Sequence, residues 1–483
     1  MSDIRPVAYV VGRLLALLAA LMLVPAVVDW YKASGNATAM TESAFVTAVA
    51  GIAISLATRN AVGRPLDVRQ AYLLTAAIWF VVPAFGALPF WLGAPHLGAS
   101  LAYFESVSGI TTTGASVIAG LDDLPAGMNL WRGMLNWIGG LGIAFIAMIF
   151  LPFMRIGGMQ FFRTEGFDTS GKALPRATDI AGQLLLVYAG LTVACIMVYS
   201  AVGMPPLGAV VNGMASIATG GFSPYSASFN AFRGAGEYAG ALFMVLGSLP
   251  YIRYVQAVNG HIAPLWRDLQ IRAYLRWLLA GTALVAGWEI VFAGRAVEPA
   301  FREALFNLAS IMSSTGFSSG DFATWGGATL VVAFVLGVVG ACSGSSAAGL
   351  SVFRVQLALR VLRNELRRIA RPSAVDPVKY DGRPVSEDVI HALIMFITSY
   401  ILLLGVMSVV LAHLGVDAVS ALFAIWTTLG NIGYGYGPLF DQGGGTFAAF
   451  PVPAIWIMTL AMLLGRLGLL AILVLVLPAF WRK

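Results

Sequence analysis

Long apolar stretches separated by short polar connections run through the whole chain. Stretches of about 18 or more apolar residues are typical of helices that span a bilayer. We expect about ten such helices, of which the eighth is interrupted by small residues. Their predicted bounds are Val7–Val28, Ser43–Thr58, Ala71–Leu92, Trp131–Phe153, Gly182–Val202, Gly236–Val255, Tyr274–Ala293, Thr329–Ala358, Val389–Leu414 and Val452–Phe480.

Four shorter apolar stretches lie between the long ones and cannot cross a bilayer. They are predicted as half-length helices over Ala99–Gly109, Leu207–Ile217, Ala300–Ile311 and Val416–Thr427. Each leads into a glycine-centred segment, and these segments are Thr112-Thr113-Gly114-Ala115, Thr219-Gly220-Gly221-Phe222, Ser314-Thr315-Gly316-Phe317 and Asn431-Ile432-Gly433-Tyr434. The sequence therefore predicts a unit of helix, re-entrant loop and helix four times over.

The composition supports an integral membrane protein, because 59% of the residues are hydrophobic and only 11% are charged. Most of the 29 Lys and Arg residues lie in alternate loops, at Arg5 and Arg13, Arg59–Arg69, Arg155–Arg176, Arg253–Arg276, Arg354–Arg383 and Arg482-Lys483. Cytoplasmic loops carry this excess, so both termini are predicted to be cytoplasmic. The net charge of +6 reflects the same bias, and contact with anionic lipid headgroups is enough to explain it. No basic patch interleaved with aromatic residues favours binding to nucleic acid.

Four re-entrant loops at membrane depth imply a central cavity, because non-helical backbone is tolerated there only within protein or beside water. A half-helix directs its C-terminal carbonyl groups toward that cavity, and the following residues offer carbonyl oxygens in place of a cation's hydration shell. One such segment alone is more often an ordinary turn or a small-residue helix contact. Four copies favour an ion path, and because no acid lies near any of the glycines, we expect selectivity to depend on carbonyl geometry.

Several strings resemble the Trk/Ktr/HKT superfamily of potassium transporters, and within it the Trk-type membrane subunit, over nearly the whole chain. These strings are Phe104-Glu105-Ser106-Val107-Ser108-Gly109, Thr111-Thr112-Thr113-Gly114-Ala115, Leu130-Trp131-Arg132, Trp137-Ile138-Gly139-Gly140-Leu141-Gly142, Gly157-Gly158-Met159-Gln160 and Leu174-Pro175-Arg176. The resemblance implies an all-α membrane fold with four helix-loop-helix repeats in pseudo-fourfold arrangement. The implied units are residues 1–70 for two extra N-terminal helices, and 71–180, 181–272, 273–385 and 386–483 for the repeats.

The resemblance also implies potassium uptake across the cytoplasmic (bacterial inner) membrane, without enzymatic activity and without a cofactor in this chain. In this superfamily, glycine in all four loops is associated with potassium selectivity, and serine in the first loop with sodium permeation. The implied potassium ligands are Thr112, Thr113, Gly114, Thr219, Gly220, Gly221, Ser314, Thr315, Gly316, Asn431, Ile432 and Gly433. The fourth loop departs from the usual Asn-Leu-Gly-Pro-Gly, since it continues as Tyr434-Gly435-Tyr436-Gly437-Pro438, and its outer geometry is left open.

The eighth span contains the string Gly340-Ala341-Cys342-Ser343-Gly344-Ser345-Ser346-Ala347-Ala348-Gly349, which is a poor helix interior. On the residues alone, a close contact between two helices explains it equally well. The similar family string forms an intramembrane loop that obstructs the pore below the filter, so the resemblance implies a gate. The implied gate residues are Gly340, Ser343, Gly344, Ser345, Ser346, Gly349 and Arg466.

Arg466 is an isolated cation in an apolar run, and such a charge should face a cavity or a partner. The family counterpart of Arg466 lies in the pore near the gate loop. We hypothesise that Arg466 places a positive barrier below the filter and donates hydrogen bonds to the carbonyl groups of residues 344–346. Its replacement by alanine should then raise conductance. Glu289, near a helix end, is interpreted as an interfacial anchor.

An arginine cluster follows the predicted gate and comprises Arg354, Arg360, Arg363, Arg367, Arg368 and Arg371. Such a run is usually a solvated or lipid-facing surface. The family works with a cytoplasmic nucleotide-binding regulatory subunit, TrkA-like and responsive to NAD or ATP, and this chain has no Walker or Rossmann motif of its own. The resemblance thus implies that subunit as a partner, and a homodimer.

Two other functions are weighed against a potassium path. An intramembrane serine hydrolase would use Ser108 or Ser343, yet none of the four histidines (His96, His261, His391 and His413) has an acid at triad-like spacing. A proton- or sodium-coupled symporter usually carries a buried coupling carboxylate. The sequence leaves such coupling open. Cys195 and Cys342 lie in apolar segments and support neither a disulfide framework nor a thiolate metal site.

Overall fold

The computed structural model describes residues 3–62, 66–145, 177–371 and 377–467. The N-terminal part contains α1 (Arg5–Tyr31), α2 (Ala37–Ala57), α3 (Val68–Gly86), α4 (Leu88–Leu92), α5 (Ala99–Ile110) and α6 (Ala126–Phe145). The middle contains α7 (Ala177–Ala201), α8 (Pro206–Ala218), α9 (Ala235–Gly247), α10 (Tyr251–Val258) and α11 (Ala263–Arg267). Then follow α12 (Leu269–Phe292), α13 (Val297–Met312), α14 (Gly327–Val339), α15 (Val352–Ala370), β1 (Lys379–Tyr380) and β2 (Arg383–Pro384), and finally α16 (Glu387–His413), α17 (Ala418–Leu429), α18 (Pro438–Gln442) and α19 (Val452–Leu467).

The four predicted half-length helices are α5, α8, α13 and α17, and their observed ends lie within three residues of the predicted ones. Each half-helix leads into a glycine-centred loop that is followed by a further helix (α6, α9, α14 and α19), so the order of half-helix, loop and helix occurs four times. The half-helices are buried along most of their length, whereas the long helices expose large apolar side chains such as Leu17 and Val291. This distribution places the four half-helices inside the bundle and gives the outer helices a lipid-facing surface.

Six of the described helices are long and apolar enough to cross a membrane, and a bent pair makes a seventh. The remaining predicted spans correspond to α6, to the broken pair α14 and α15, and to α19. The interruption predicted in the eighth span is confirmed, because residues 340–351 leave the helix. The predicted ends at Phe153 and Phe480, the basic segments Arg155–Arg176 and Arg482-Lys483, and the strings at residues 157–160 and 174–176 lie outside the described residues.

The predicted sixth span, Gly236–Val255, is wrong as a single helix. The chain leaves α9 after Gly247 and re-enters a helix at Tyr251, and α9 and α10 meet at an angle of 88°. Pro250 explains the break, because proline has no backbone N–H and disfavours helical geometry in the residue before it. The predicted third span also divides, at Ala87, into α3 and α4.

The two N-terminal helices pack closely on each other and on the first repeat. A Cβ atom on Gly12 would lie 2.8 Å from the carbonyl oxygen of Gly51, so these glycines let α1 and α2 approach. The buried Asp29 carboxylate accepts hydrogen bonds from Asn36 and, at 2.7 Å, from the backbone N–H of Gly127 in α6. The extra helices are thereby fixed to the four-repeat body.

Candidate ion path and gate

The four glycine-centred loops share one backbone conformation. Each glycine has a positive φ: 81° at Gly114, 70° at Gly221, 87° at Gly316 and 81° at Gly433. The residue two positions earlier is also left-handed, with φ values of 52° at Thr112, 51° at Thr219, 54° at Ser314 and 48° at Asn431. This geometry disfavours non-glycine residues by about 1–2 kcal/mol, so the surrounding structure imposes it in all four loops.

Each loop leaves its half-helix by the same hydrogen bond. The N–H of the residue before the glycine donates to the carbonyl oxygen five residues earlier, and all four distances are 2.8 Å. The pairs are Thr113 with Ser108, Gly220 with Ala215, Thr315 with Ser310 and Ile432 with Thr427. Equal bonds and equal φ values make the four loops conformational copies of one another.

The loops meet in a closed ring, in which the Cα of each glycine faces the carbonyl group just before the next glycine. A Cβ on Gly114 would lie 2.6 Å from the carbonyl oxygen of Gly220, and a Cβ on Gly433 would collide with that of Thr113. Gly221 and Gly316 face the carbonyl groups of Thr315 and Ile432 in the same way. A side chain has no room at any of these four positions.

The carbonyl oxygens of Thr113, Gly220, Thr315 and Ile432 thus belong to one ring, and none of them accepts a hydrogen bond from any described residue. Buried carbonyl groups normally have a partner. A ring of free carbonyl oxygens is able to replace the hydration shell of a cation. A cavity of about 370 Å³ opens on one side of the ring and touches all four glycines.

A buried ion pair supports the first two loops. Arg132 of α6 lies 3.0 Å from a carboxylate oxygen of Glu105 in α5, and both side chains are almost fully buried. Arg132 also donates to the carbonyl oxygen of Ser223 at 2.8 Å, and Glu105 accepts from the N–H of Val117 at 2.9 Å. The expectation that no acid lies near a filter glycine is therefore wrong, although this carboxylate is neutralised by arginine.

The third loop has a comparable support. Ser319 donates through its hydroxyl to Glu237 at 2.6 Å and exchanges backbone bonds with the side chain of Asn307. Glu237 in turn pairs with Arg302. Sequence reasoning assigned no role to the residues of either ion pair. A charge within an otherwise apolar helix was the signal that could have identified them.

Six of the seven predicted gate residues lie in the non-helical segment 340–351, and Arg466 lies in α19. The N–H of Ala348 donates to the hydroxyl of Ser314 at 2.7 Å, so this segment contacts the start of the third loop. Ser343 bonds to Gln270 and Ser351, whereas Ser345 bonds within the segment, to Cys342. Gly340 and Gly349 approach each other closely, since a Cβ on Gly349 would lie 3.0 Å from the Cα of Gly340.

Arg466 connects the first loop to segment 340–351. Its guanidinium group donates to the hydroxyl of Thr112 at 2.7 Å and to the carbonyl oxygen of Ser346. The predicted contact with carbonyl groups of residues 344–346 is thus present at Ser346. Asn431 lies nearby and donates to the hydroxyl of Thr113 at 2.8 Å.

Two remaining expectations concern charged and catalytic groups. Glu289 pairs with Arg295 at 3.3 Å at the end of α12. Arg354 is buried against the ring of Phe396, and Arg360 donates to the carbonyl oxygen of Lys379, so these two arginines are not part of a freely solvated cluster. Ser108 and Ser343 have no histidine partner among the described residues, whose four histidines are all exposed. The described residues also contain no group of three or more His, Cys, Asp or Glu side chains that could hold a metal ion.

Comparison with known proteins identifies the family. The TrkH family model, described as a cation transport protein, matches residues 37–483. The chain is 37% identical to the Trk system potassium uptake protein TrkI of Halomonas elongata, over 99% of this chain and 97% of that one. It is 32% identical to TrkH of Escherichia coli K12, over 99% of both chains. The crystal structure of the potassium transporter TrkH from Vibrio parahaemolyticus superposes with a TM-score of 0.90 at 30% identity, covering 99% of this chain and all of that one.

Proposed function

The chain belongs to the TrkH family of cation transport proteins, and from that membership we propose how its loops and gate carry potassium. It is a potassium uptake transporter with an all-α, multi-pass membrane fold, and it is not an enzyme. The serine hydrolase alternative is thereby excluded.

We propose that the ring of the four loops is the selectivity filter. Potassium binds to the carbonyl oxygens of Thr113, Gly220, Thr315 and Ile432, with the other predicted ligand residues of the four loops forming the rest of the path. The observation that carries this proposal is the closed ring of four carbonyl groups that accept no hydrogen bond from the described part of the chain. Carbonyl oxygens at a fixed spacing compensate a cation for the loss of its water, which is the physical basis of potassium selection.

Flux into liposomes containing the purified protein tests the filter. We expect potassium and rubidium to enter faster than sodium and lithium. In a Gly114→Ser variant we expect sodium entry to rise relative to potassium, because the added side chain disturbs one quarter of the ring. Equal rates for potassium and sodium in the native protein would show that the filter assignment is wrong.

We also propose that segment 340–351 together with Arg466 forms the gate. The segment touches Ser314 and, through Arg466, Thr112, so it lies across the end of the filter opposite the cavity. A fixed positive charge there opposes the passage of a cation. An Arg466→Ala variant should therefore conduct faster with unchanged ion preference, and unchanged flux at normal expression would contradict this role.

Coupling to a proton or sodium gradient finds no support in the acids beside the loops. Glu105 is paired with Arg132, and Glu237 with Arg302. A coupling carboxylate must be free to bind and release a proton or cation during transport, and both of these carboxylates are already occupied by a buried arginine. We therefore propose an uncoupled, channel-like path, which flux against imposed proton and sodium gradients tests directly.

The remaining proposals concern the surroundings of the transporter. The positive-inside bias favours the bacterial inner membrane with both termini in the cytoplasm. Four exposed arginines (Arg363, Arg367, Arg368 and Arg371) continue from the gate along α15, and we propose them as a docking site for a cytoplasmic nucleotide-binding subunit of the TrkA type. An Arg367→Gln/Arg368→Gln variant should lose regulation by that subunit but keep basal flux. We propose a homodimer as the assembly. For the repeats we propose the boundaries predicted from the sequence, after residues 70, 180, 272 and 385.

A further inference from the structure

The bend between α9 and α10 lies directly against segment 340–351. In a continuous helix, the N–H of Tyr251 would donate to the carbonyl oxygen of Gly247. Because the helix breaks at residues 248–250, the N–H of Tyr251 instead donates to the carbonyl oxygen of Gly344 at 2.9 Å. The carbonyl oxygen of Ser248 accepts from the N–H of Cys342 at 3.4 Å. The break thus frees backbone groups of the second repeat to hold the segment that we assign as the gate.

The side chain of Tyr251 joins three elements at this bend. Its hydroxyl lies 3.0 Å from the hydroxyl of Ser346 and 3.2 Å from the carbonyl oxygen of Ile217. Ser346 is itself 3.0 Å from that carbonyl oxygen. Ile217 is near the end of α8, two residues before Thr219 of the filter. One buried cluster therefore links the second pore helix, the gate segment and the bend.

The hydrogen-bond count shows what would change when the gate moves. Tyr251 and Ser346 each have one hydroxyl proton, and the carbonyl groups of Ile217 and Gly247 both accept from this cluster. If Ser346 leaves, the hydroxyl of Tyr251 is still able to donate to Ile217. The end of the pore helix then keeps a partner while the gate segment is displaced.

We propose that the α9–α10 bend is the fixed half of a latch whose moving half is segment 340–351, and that Tyr251 is its positioning residue. This inference rests on the gate assigned above. In the closed state, Tyr251 holds Gly344 through its backbone and Ser346 through its side chain. Opening breaks both bonds, and the strength of the latch sets how often the pore conducts without a regulatory signal.

A Tyr251→Phe variant tests the latch, because it removes only the hydroxyl and keeps the ring packed on Tyr188 and Tyr254. Loss of one buried hydrogen bond should raise basal potassium flux by about three- to tenfold. The ratio of potassium to sodium flux should stay unchanged, since the filter backbone is untouched. Tyr103→Phe is the matched control, because the hydroxyl of Tyr103 donates to the carbonyl oxygen of Phe80 at 3.2 Å, a bond that involves neither the α9–α10 bend nor segment 340–351. We expect that variant to have native flux.

A second variant on the opposite side of the latch keeps the test valid if one protein folds poorly. Ser346→Ala should raise flux by a similar factor, and the double variant with Tyr251→Phe should give less than the product of the two factors, because both remove the same link. Native flux in Tyr251→Phe, together with raised flux in Ser346→Ala and Arg466→Ala, would overturn the latch and leave the gate standing. Native flux in all three variants would overturn the gate proposal itself.

Discussion

The first and fourth glycine-centred loops, which we propose as parts of the filter, have the same backbone and different supports. Gly114 and Gly433 have the same φ of 81°, and the residues two positions before them differ by only a few degrees. Around the first loop, the support is polar and charged, with Arg132 and Glu105 bonded to Ser116 and Val117. No ion pair joins described residues within 387–467, the range that carries the fourth loop.

Aromatic packing supports the fourth loop instead. Phe423 lies 4.8 Å from the ring of Tyr436, and Phe334 stacks on Trp426 at 5.5 Å. Tyr434, the residue after the filter glycine, is buried. The displaced proline, Pro438, begins the short helix α18 well outside the ring. The departure from the family pattern therefore lies beyond Gly433, whose φ equals that of Gly114, in residues that we propose as the outer wall of the pore.

The comparison separates what the filter requires from what holds it. Each loop requires a half-helix that ends before it, a residue in the left-handed region, and a glycine two positions later whose Cα lies against the next loop. All four loops have these three features. The support is interchangeable, because any rigid and fully bonded wall fixes the same backbone. Buried ion pairs and aromatic packing nevertheless differ in how much stability is lost when one member is removed.

The largest effect is expected from Arg132→Met. Removing Arg132 leaves the buried carboxyl group of Glu105 without its ion-pair partner, and breaking a buried pair in this way costs about 3–5 kcal/mol. The carbonyl oxygen of Ser223 also loses its donor. We expect a strongly lowered melting temperature in detergent and loss of growth on limiting potassium.

For the melting temperature, the matched control is Arg368→Met, which breaks an exposed pair with Glu365 and should cost at most about 1 kcal/mol. The double variant Glu105→Gln/Arg132→Met should recover part of the stability, because no buried charge is then unpaired. If Arg132→Met is as stable as Arg368→Met, the ion pair is not what supports the first loop.

An intermediate effect is expected from alanine at the filter glycines. Gly433→Ala and Gly114→Ala each place a methyl group against a neighbouring carbonyl oxygen and add about 1–2 kcal/mol of backbone strain. Because the two loops are conformational copies, both variants should lose potassium flux to the same extent. Gly415→Ala controls for the strain alone, since Gly415 has a φ of 91° and nothing within 4 Å. If Gly433→Ala keeps its potassium flux while Gly114→Ala loses it, the two loops are not equivalent.

The sequence predicted the half-helices and glycines that the loops require, but not the side chains that support the loops. Half-helices such as Ala99–Ile110 were found to within a residue or two because their length and the following glycine are local signals. The break at Pro250 has an equally local signal, the proline itself, which the prediction of a continuous sixth span over Gly236–Val255 did not use. The left-handed conformation of Thr112 was not predictable, because tertiary contacts impose it against the residue's own preference. The pairing of Glu105 with Arg132, which lie on separate helices, likewise appears only once the helices are packed.

The smallest effect is expected from Phe423→Leu in the fourth loop's aromatic wall. Leucine retains part of the apolar volume, and each aromatic contact contributes about 0.5–1.5 kcal/mol beyond burial. Phe423 contacts Phe334, Trp426 and Tyr436, and when it is replaced Phe334 still stacks on Trp426. We expect a small decrease in melting temperature and a modest loss of potassium preference over sodium in liposome flux. Phe45→Leu, at an exposed position on α2, should change neither quantity. If Phe423→Leu lowers the melting temperature as much as Arg132→Met does, the aromatic wall depends on each of its rings. The two kinds of support would then be equivalent in strength as well as in geometry.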